Sequence, residues 1–190
     1  FPISTLRNNE PGYDAQHSIP AAKVMGRYRE RKHQFRPDSI VNISAMSYGS
    51  LSSTAVESIN LGCAQSSCLH NTGEGGISPF HMKGGNLIWQ LGTGYFGARA
   101  ANGGFCEETF KRTLEKAGDK VKAIEIKFSQ GAKPGLGGML PGAKVTPEIA
   151  KIRGIPVGKD CASPAFHSAF SNVDQMLDFV ERLADLSGLP

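Results

Sequence analysis

A long, lysine-bearing loop follows one of the most apolar segments of the sequence. Residues 127–144 read KFSQGAKPGLGGMLPGAK, with five glycines, two prolines and three lysines, directly after the apolar run Val121 to Ile126. A turn inside a compact domain needs about two to six residues, and longer loops are usually functional or disordered. Because an apolar strand is predicted before this loop, disorder is disfavoured, and we interpret the segment as the mouth of an active site.

Lys127, at the junction of strand and loop, can be interpreted in two ways. A lysine at the carboxyl end of a buried strand can face a ligand, where its positive charge would stabilise a developing negative charge. Alternatively, its aliphatic stem can lie along apolar surface while the amine reaches solvent. The position between an apolar strand and a glycine-rich loop favours the first interpretation.

Two further glycine-bearing segments follow predicted strands. They read AMSYGSLS over 45–52 and NTGEGG over 71–76. Glycine lets the backbone approach a ligand closely, because it carries no Cβ. Taken alone, neither segment is specific, and a lone Gly-Glu-Gly-Gly is more often an ordinary turn, so neither predicts a function by itself.

The order of elements predicts an α/β fold with a parallel sheet. Predicted strands and helices alternate along the chain: strands over 40–45, 68–72, 87–91 and 121–127, and helices over 53–65, 107–117, 146–153 and from 172. The last helix carries Val173, Leu177, Val180 and Leu183 or Ala184 on one face, which we expect to be buried. No G-x-G-x-x-G follows the first strand, which leaves a TIM-type (β/α)₈ barrel as the remaining candidate. Four units predict a half barrel over 40–190, preceded by an N-terminal arm over 1–39.

Composition excludes several classes of protein. The formal charge of +4 comes in part from Arg27, Arg29, Arg31 and Lys32, a run that is typical of a solvated surface and has no nucleic-acid-binding motif beside it. The four cysteines show no metal-binding spacing, so free thiols in a reducing, cytoplasmic compartment are expected. The sequence contains no stretch of eighteen apolar residues, so no membrane span is predicted in it. A membrane anchor before residue 1 is not excluded.

Five motifs together resemble the FMN-binding synthase domain of glutamate synthases, including the stand-alone glutamate-synthase-like flavoproteins. They are the two glycine-bearing segments above, QLGTGYFG over 90–97, the 127–144 loop and LPGAK over 140–144. The resemblance covers about residues 40–190, the N-terminal half of that domain. SQGAKPGLGGMLPGAKV is its most specific part.

The resemblance implies a (β/α)₈ barrel that binds FMN at the carboxyl ends of its strands. It also implies an oxidoreductase that forms glutamate from 2-oxoglutarate and glutamine-derived ammonia, with electrons passed through an iron–sulfur cluster. The family's cluster cysteines lie beyond the end of this sequence, so the cluster is not expected to be bound here. The implied partners are a keto acid, an electron-donor protein or reductase subunit, and the missing half of the barrel. Alone, the chain is expected to be inactive.

The resemblance also assigns roles to single residues. For the flavin it implies Ala45, Met46, Ser47, Gln90 and Lys127, the last two at the polar edge of the ring. For the substrate it implies Gln130, Lys133 and Arg153, with Lys133 also catalytic, and it gives Glu74 the role of a proton acceptor for ammonia. A guanidinium is the natural bidentate partner of a carboxylate, although Arg153 is equally consistent with an exposed charge at a helix end.

Three residues depart from the family pattern. Leu136, Met139 and Ile77 stand where glutamate synthases usually have polar side chains. A different substrate therefore remains an alternative. A further alternative, supported only by the expected half barrel, is a non-catalytic interaction module on the same frame, which would pair with its missing half or with a second copy. His70 and His167 are interpreted as structural. The central expectation is geometric: the strand ends at Ser47, Thr72, Gln90 and Lys127 should lie side by side.

Overall fold

A computed structural model of the chain describes residues 23–131, 133 and 135–190. The helices are α1 (Ser53–Ser66), α2 (Glu107–Ala117), α3 (Pro147–Arg153) and α4 (Val173–Ser187). The strands are β1 (His70–Asn71), β2 (Leu87–Leu91), β3 (Val121–Ile126), β4 (Met139–Leu140) and β5 (Cys161–Ala162). The positions of the four predicted helices are confirmed.

Side-chain caps fix where three of the helices begin. Ser52, Thr146 and Asn172 each accept a hydrogen bond from a backbone N–H of the first turn, as N-cap residues do. Pro147 follows Thr146 at the first helical position, where its missing N–H costs nothing. The turns that enter α1, α3 and α4 are therefore dictated locally by the sequence.

The main sheet is parallel, with its strands in the order β1, β2, β3. Ile43 extends it by one parallel bridge to His70, which places the first predicted strand beside β1. The predicted strand over 40–45 is otherwise wrong, because Ile40 and Val41 are exposed and only that bridge forms. At the other edge, the Ile124 N–H donates to the Pro190 carbonyl, so the chain returns to β3 after α4.

This order makes the chain a partial α/β domain. Neighbouring parallel segments follow the order of the sequence. The helix α1 leads from the segment at Ile43 to β1, and α2 leads from β2 to β3, whereas β1 and β2 are joined by a loop with one short 3-10 turn, Pro79–His81. A closed (β/α)₈ barrel is not seen among the described residues. The half-barrel arrangement and the division at residue 39 stay predictions.

A bulge in β3 decides which side chains face which side of the sheet. Leu87 pairs with Val121 but Ile88 pairs with Ala123, so Lys122 has no partner residue on β2. Because side chains alternate along a strand, the extra residue puts Val121, Ile124 and Ile126 on one face. All three pack against the main core. Glu125 is thereby turned to the opposite face, beside its register partner Gln90.

The main core lies between the sheet and the helices α2 and α4. Trp89 stacks on Phe110 of α2 at 5.1 Å between ring centroids, and Phe179 and Leu183 of α4 close the same cluster. The predicted core face of α4 is wrong in part, because Val173 and Leu177 are 67% and 50% exposed while Phe179 and Leu183 are buried. A second, smaller core contains Phe96, Leu140, Val145, Ile149, Ala150 and Cys161.

The described part of the predicted arm, residues 23–39, lies against α4. Met25 and Phe35 form an antiparallel bridge, and the His33 N–H donates to the Gly188 carbonyl at 2.7 Å. The guanidinium of Arg31 pairs with Glu181 of α4, also at 2.7 Å. This part of the basic run is therefore bound to the domain, whereas Tyr28 is fully exposed.

Candidate functional site

The four predicted strand ends lie side by side at one edge of the sheet. Main-chain hydrogen bonds join Met46 to Asn71 at 3.1 Å and Lys127 to Leu91 at 2.9 Å. The backbone N–H of Gln90 donates to the hydroxyl of Thr72 at 3.1 Å. Because carboxyl ends of parallel strands meet at the same edge, side chains on the following loops converge there. The central geometric expectation is met.

A compact polar cluster lies over these strand ends. The carboxylate of Glu74 accepts a hydrogen bond from Gln130 Nε2 at 2.8 Å and lies 3.5 Å from Lys127 Nζ. Lys127 Nζ in turn donates to Gln130 Oε1 at 3.0 Å. The side chains of Lys127 and Glu74 are only 26% and 16% exposed, so water screens their charges weakly. The sequence places Glu74 more than fifty residues from Lys127, and the fold brings them together.

Two glycines make room for the Glu74 side chain. A Cβ at Gly92 would lie 2.8 Å from Glu74 Cβ, and one at Gly138 would lie 2.9 Å from Glu74 Oε1. The contact at Gly92 involves the fixed Cβ of Glu74, so a side chain there would displace Glu74, and one at Gly138 would push its carboxylate aside. Gly138 belongs to the long loop, and its carbonyl accepts the Ser163 N–H at 2.8 Å. The glycine-rich loop thus closes over the carboxylate.

Arg153 is buried on the same side of the domain. Its Nη2 donates to the Tyr48 carbonyl at 3.3 Å, and its guanidinium stacks 5.0 Å from the Phe96 ring centroid. Its Nε is buried without a partner. Burial lowers the pKa of Arg153, while the Cys161 thiol and the Glu74 carboxylate oppose that shift. The predicted alternative of an exposed charge at a helix end is therefore wrong.

Two histidines hold the main chain of predicted flavin residues. The Ser78 N–H donates to Nδ1 of His81, which leaves the ring proton on Nε2, and Nε2 donates to the Met46 carbonyl at 2.9 Å. His167 Nε2 donates to the Lys127 carbonyl at 2.8 Å, and its Nδ1 contacts the Tyr95 hydroxyl at 2.9 Å. Burial lowers the pKa of both histidines, which favours the neutral rings that these contacts need.

Tyr48 connects the segment 45–52 to α3. Its hydroxyl donates to Glu148 Oε2 at 2.6 Å. Burial, and then the Glu148 carboxylate, raises the pKa of Tyr48 to about 12, so the phenol stays protonated at neutral pH. Because the Tyr48 carbonyl is also the acceptor for Arg153, this contact helps to fix the position of both elements.

Glu125 is a member of the site that sequence reasoning missed. Its Oε1 accepts hydrogen bonds from Gln90 Nε2 and from Asn71 Nδ2, the latter at 3.0 Å. Gln90 is 5% exposed, and its Oε1 is buried without a partner. The only sequence signal for Glu125 was its place two residues before Lys127 in a predicted strand.

The other residues singled out in the sequence lie outside the polar cluster. Lys133 is exposed, its backbone N–H donates to the Gln130 carbonyl at 3.2 Å, and among the described residues it forms no ion pair with Glu74. Leu136 and Met139, in the same loop, are 60% and 58% exposed. Ile77 packs against the main core, so its apolar side chain is explained without reference to a substrate.

Comparison with known proteins identifies the family. The family model described as "Conserved region in glutamate synthase" matches residues 7–189. The chain belongs to the glutamate synthase family. Members of this family are oxidoreductases, and the family implies flavin and iron–sulfur cofactors in the full-length enzymes.

Several glutamate synthases are similar over most of this chain. "Glutamate synthase large subunit-like protein YerD" of Bacillus subtilis is 44% identical over 170 residues, which is 88% of this chain and 32% of that protein. An "Archaeal-type glutamate synthase [NADPH]" of Thermotoga sp. is 38% identical, over 77% of this chain and 26% of its own length. The "Glutamate synthase [NADPH] large chain" of Bacillus subtilis is 32% identical, over 73% and 9%. The chain therefore spans about a third or less of these glutamate synthases.

The residues at the strand ends fit the flavin that the glutamate synthase family implies. Gln90 Oε1 is a buried acceptor without a donor, Arg153 Nε is a buried donor without an acceptor, and buried polar atoms usually have partners. A Cβ on Gly73 would overlap Ser47, so the turn packs directly on the loop predicted to line the ring. Lys127 supplies a partly buried cation beside them.

Neither a membrane-spanning helix nor a metal-binding group is found in the part of the chain that the structure describes. No helix there is both long and apolar enough to cross a membrane. Over the same residues, no group of three or more His, Cys, Asp or Glu side chains is placed to hold a metal ion. The four cysteines are free thiols, as predicted, and Cys63 and Cys161 are buried.

Proposed function

We propose that this chain forms part of an FMN-dependent glutamate synthase that makes glutamate from 2-oxoglutarate and ammonia. The observation that carries the proposal is the cluster of Glu74, Lys127 and Gln130 at the carboxyl ends of adjacent parallel strands. Its members occur in the motifs that are typical of the family. In the overall reaction, 2-oxoglutarate, ammonium, two electrons and two protons give glutamate and water.

The FMN would lie over the strand ends. The backbone of Ala45, Met46 and Ser47 would line the ring, held in place by the hydrogen bond from His81 to the Met46 carbonyl. Lys127 and Gln90 would face the polar edge of the ring, where a cation favours the negative charge of the reduced form. When bound, FMN supplies the two-electron transfer that the reaction requires.

The substrate would bind between the long loop and α3. Arg153 keeps an unused donor, Nε, and a guanidinium suits the carboxylate of a keto acid. Gln130 and Lys133 would supply further donors from the loop. Glu74 is the proposed proton acceptor for ammonia, because its carboxylate is mostly buried and lies within hydrogen-bond range of Gln130.

Electrons would reach the flavin from outside this chain. We propose an iron–sulfur cluster elsewhere in the full-length protein, supplied by an electron-donor protein or reductase subunit. The family implies such a cluster, and the matched glutamate synthases are about three times as long as this chain, or longer.

Lys127→Met in the full-length protein tests the flavin site. A lost hydrogen bond to a charged group is worth about 1.5–3 kcal/mol, so we expect FMN to bind about tenfold to a hundredfold more weakly. The measurement is a titration followed by flavin absorbance. Lys111→Met, on the exposed side of α2, is the matched control and should bind FMN like the wild type. A wild-type protein that gains no flavin absorbance on addition of FMN would refute the proposal.

Glu74→Gln tests the chemistry separately from binding. General acid–base catalysis contributes about a hundredfold or more, so turnover of 2-oxoglutarate with ammonia should fall by that factor while FMN stays bound. Equal loss of flavin and activity would assign Glu74 to cofactor binding instead.

A second candidate keeps the flavin but changes the substrate. Leu136 and Met139 present apolar, exposed side chains in the loop where family members usually have polar ones. Such side chains cannot donate the hydrogen bonds that a dicarboxylate uses. If reduced flavin in the full-length protein is not reoxidised by 2-oxoglutarate with ammonia, this second candidate is favoured.

A further inference from the structure

We propose that Glu125 is a positioning residue, which fixes the side-chain amides of Gln90 and Asn71 at the flavin-facing strand ends. The inference rests on the proposed function, because it names how that site is held. Both amides donate to the same oxygen, Glu125 Oε1, from two different strands. Gln90 and Glu125 are register partners on β2 and β3, and Asn71 reaches the carboxylate from β1.

A neighbouring carboxylate fixes which way the side-chain amide of an Asn or Gln faces. The oxygen and nitrogen of Asn and Gln side chains occupy nearly the same positions, and their hydrogen-bond network decides which way they face. An ionised carboxylate can only accept hydrogen bonds, so Glu125 obliges both neighbours to turn their NH₂ groups toward it. The oxygen of Gln90 is then left as the acceptor, and it is the atom that is buried without a partner.

The same contact orients the turn that carries Glu74. With Nδ2 held by Glu125, Asn71 Oδ1 is available to accept the Gly73 N–H at 3.0 Å. Gly73 has a left-handed φ of +65° and packs directly against Ser47. Glu125 therefore fixes which way the Asn71 amide faces, and this supports the hydrogen bond to the backbone that leads into Glu74.

The bulge in β3 places the Glu125 carboxylate on this face of the sheet. Without the bulge at Lys122, side-chain alternation from Val121 would turn Glu125 toward the core side of the sheet. Among the described residues Glu125 forms no ion pair, so its contacts are the two amides. A carboxylate without a cation, held on two amide donors, is explained by orientation of those amides.

The test compares three variants of the full-length protein by FMN titration. Glu125→Gln keeps an acceptor oxygen but can also turn its NH₂ group toward its neighbours, so FMN should bind more weakly than to the wild type and more tightly than to Glu125→Leu. Glu125→Leu removes the acceptor and releases both amides, and FMN should bind about tenfold to a hundredfold more weakly. Glu115→Leu, on the exposed surface of α2, is the matched control and should leave binding unchanged.

A second readout does not depend on the flavin. In protein labelled with ¹⁵N-glutamine and ¹⁵N-asparagine, the side-chain NH₂ signals of Gln90 and Asn71 should both move in Glu125→Leu, because both amides lose their acceptor, and neither should move in Glu115→Leu. Both should also move in Glu125→Gln, where an uncharged amide replaces the carboxylate. The signals are assigned by their loss in Gln90→Met and Asn71→Ala.

The outcomes separate the two proposals. Wild-type protein that binds no FMN refutes the proposed function, and the NH₂ signals then decide the role of Glu125 alone. Wild-type affinity in Glu125→Leu, or NH₂ signals that keep their wild-type positions in Glu125→Leu and Glu125→Gln, overturns the positioning role. If Glu125→Leu does not fold, the comparison of Glu125→Gln with the wild type and the NH₂ signals still decide it.

Discussion

The Glu74 carboxylate is the residue around which the candidate site is arranged. It lies between an amide donor, Gln130, and a cation, Lys127, and these two also contact each other. A cluster of three mutually bonded groups can keep its geometry while one member exchanges a proton. Gly92 and Gly138 leave the space that the Glu74 side chain occupies in this cluster.

His70 illustrates how burial at a single residue affects stability. Its ring is fully buried, its Nδ1 lies 3.2 Å from Asn60 Nδ2, and its Nε2 has no partner. Asn60 Oδ1 already accepts from the backbone of Lys83 and Gly85, so Nδ2 is the group that faces His70. Burial, and then the neighbouring His81, lowers the pKa of His70 to about 4.

We predict that His70 makes the protein less stable at mildly acidic pH. Because the unfolded histidine has a pKa of about 6.5, the unfolded chain takes up the proton first. The stabilising contribution is complete above about pH 6.5, falls by about 2 kcal/mol at pH 5, and is lost as the pH approaches 4. Urea unfolding at pH 7.5 and pH 5 measures this loss.

His70→Asn is the control for that measurement. Its Oδ1 can accept from Asn60 in place of the imidazole Nδ1, but it does not titrate. His81 and His167 also contribute to the loss in the wild type, so the difference between the two proteins is the informative quantity. We expect His70→Asn to lose about 2 kcal/mol less than the wild type between the two pH values. An equal loss in both proteins would contradict the prediction.

The site residues that the sequence identified are those in recognisable motifs. Glu74, Lys127 and Gln130 stand in glycine-rich segments, and Arg153 ends a capped helix, so each could be named before the structure. Glu125 could not, because the adjacent apolar residues Ala123 and Ile124 interrupt the alternation of VKAIEI without showing which face Glu125 takes, and the bulge at Lys122 arises from pairing with β2. The spacing of apolar residues within one strand does not show how that strand pairs with its neighbour.

At the level of elements, helices were predicted better than strand ends. Each helix carries a local signal, such as the cap at Ser52, Thr146 or Asn172. The first strand depends on its neighbour instead. There the side chain of Asn42 accepts the Leu69 N–H at 2.8 Å, in place of a backbone carbonyl, and the ladder does not extend beyond the bridge at Ile43.

The orientation of α4 leads to a prediction about its two apolar stripes. One stripe contains the exposed Val173 and Leu177, and the other contains the buried Phe179 and Leu183. Both have helical spacing, so periodicity alone could not show which of them contacts the sheet. Leu183 is 2% exposed and Leu177 is 50% exposed. We expect Leu183→Ala to lower the free energy of unfolding by about 2–5 kcal/mol and Leu177→Ala by less than about 1 kcal/mol. Denaturant unfolding of the 190-residue chain measures both, and equal losses would show that the helix is rotated.

At the level of the whole molecule, a group of apolar side chains is exposed beside the sheet edge. The apolar patch contains Phe128, Phe166 and Val173, which line one surface hollow and are 56%, 76% and 67% exposed. Monomeric soluble proteins rarely expose contiguous apolar surface of this kind. β3 is the last strand of the sheet, and among the described residues Pro190 contributes one hydrogen bond to its outer edge.

We predict that the 190-residue chain, produced alone, associates with itself through this patch. Burial of apolar surface favours association by about 25 cal/mol for each Å², and an unpaired strand edge supplies further hydrogen bonds. Sedimentation velocity should show species larger than the 20.3 kDa monomer, in amounts that grow with concentration. Phe166→Ser combined with Val173→Ser should shift the distribution toward the monomer, since both side chains are exposed and add little to the fold. The matched control, Leu61→Ser on the exposed side of α1, should leave it unchanged. A wild-type chain that remains monomeric up to high concentration would show that the patch does not bind a second copy.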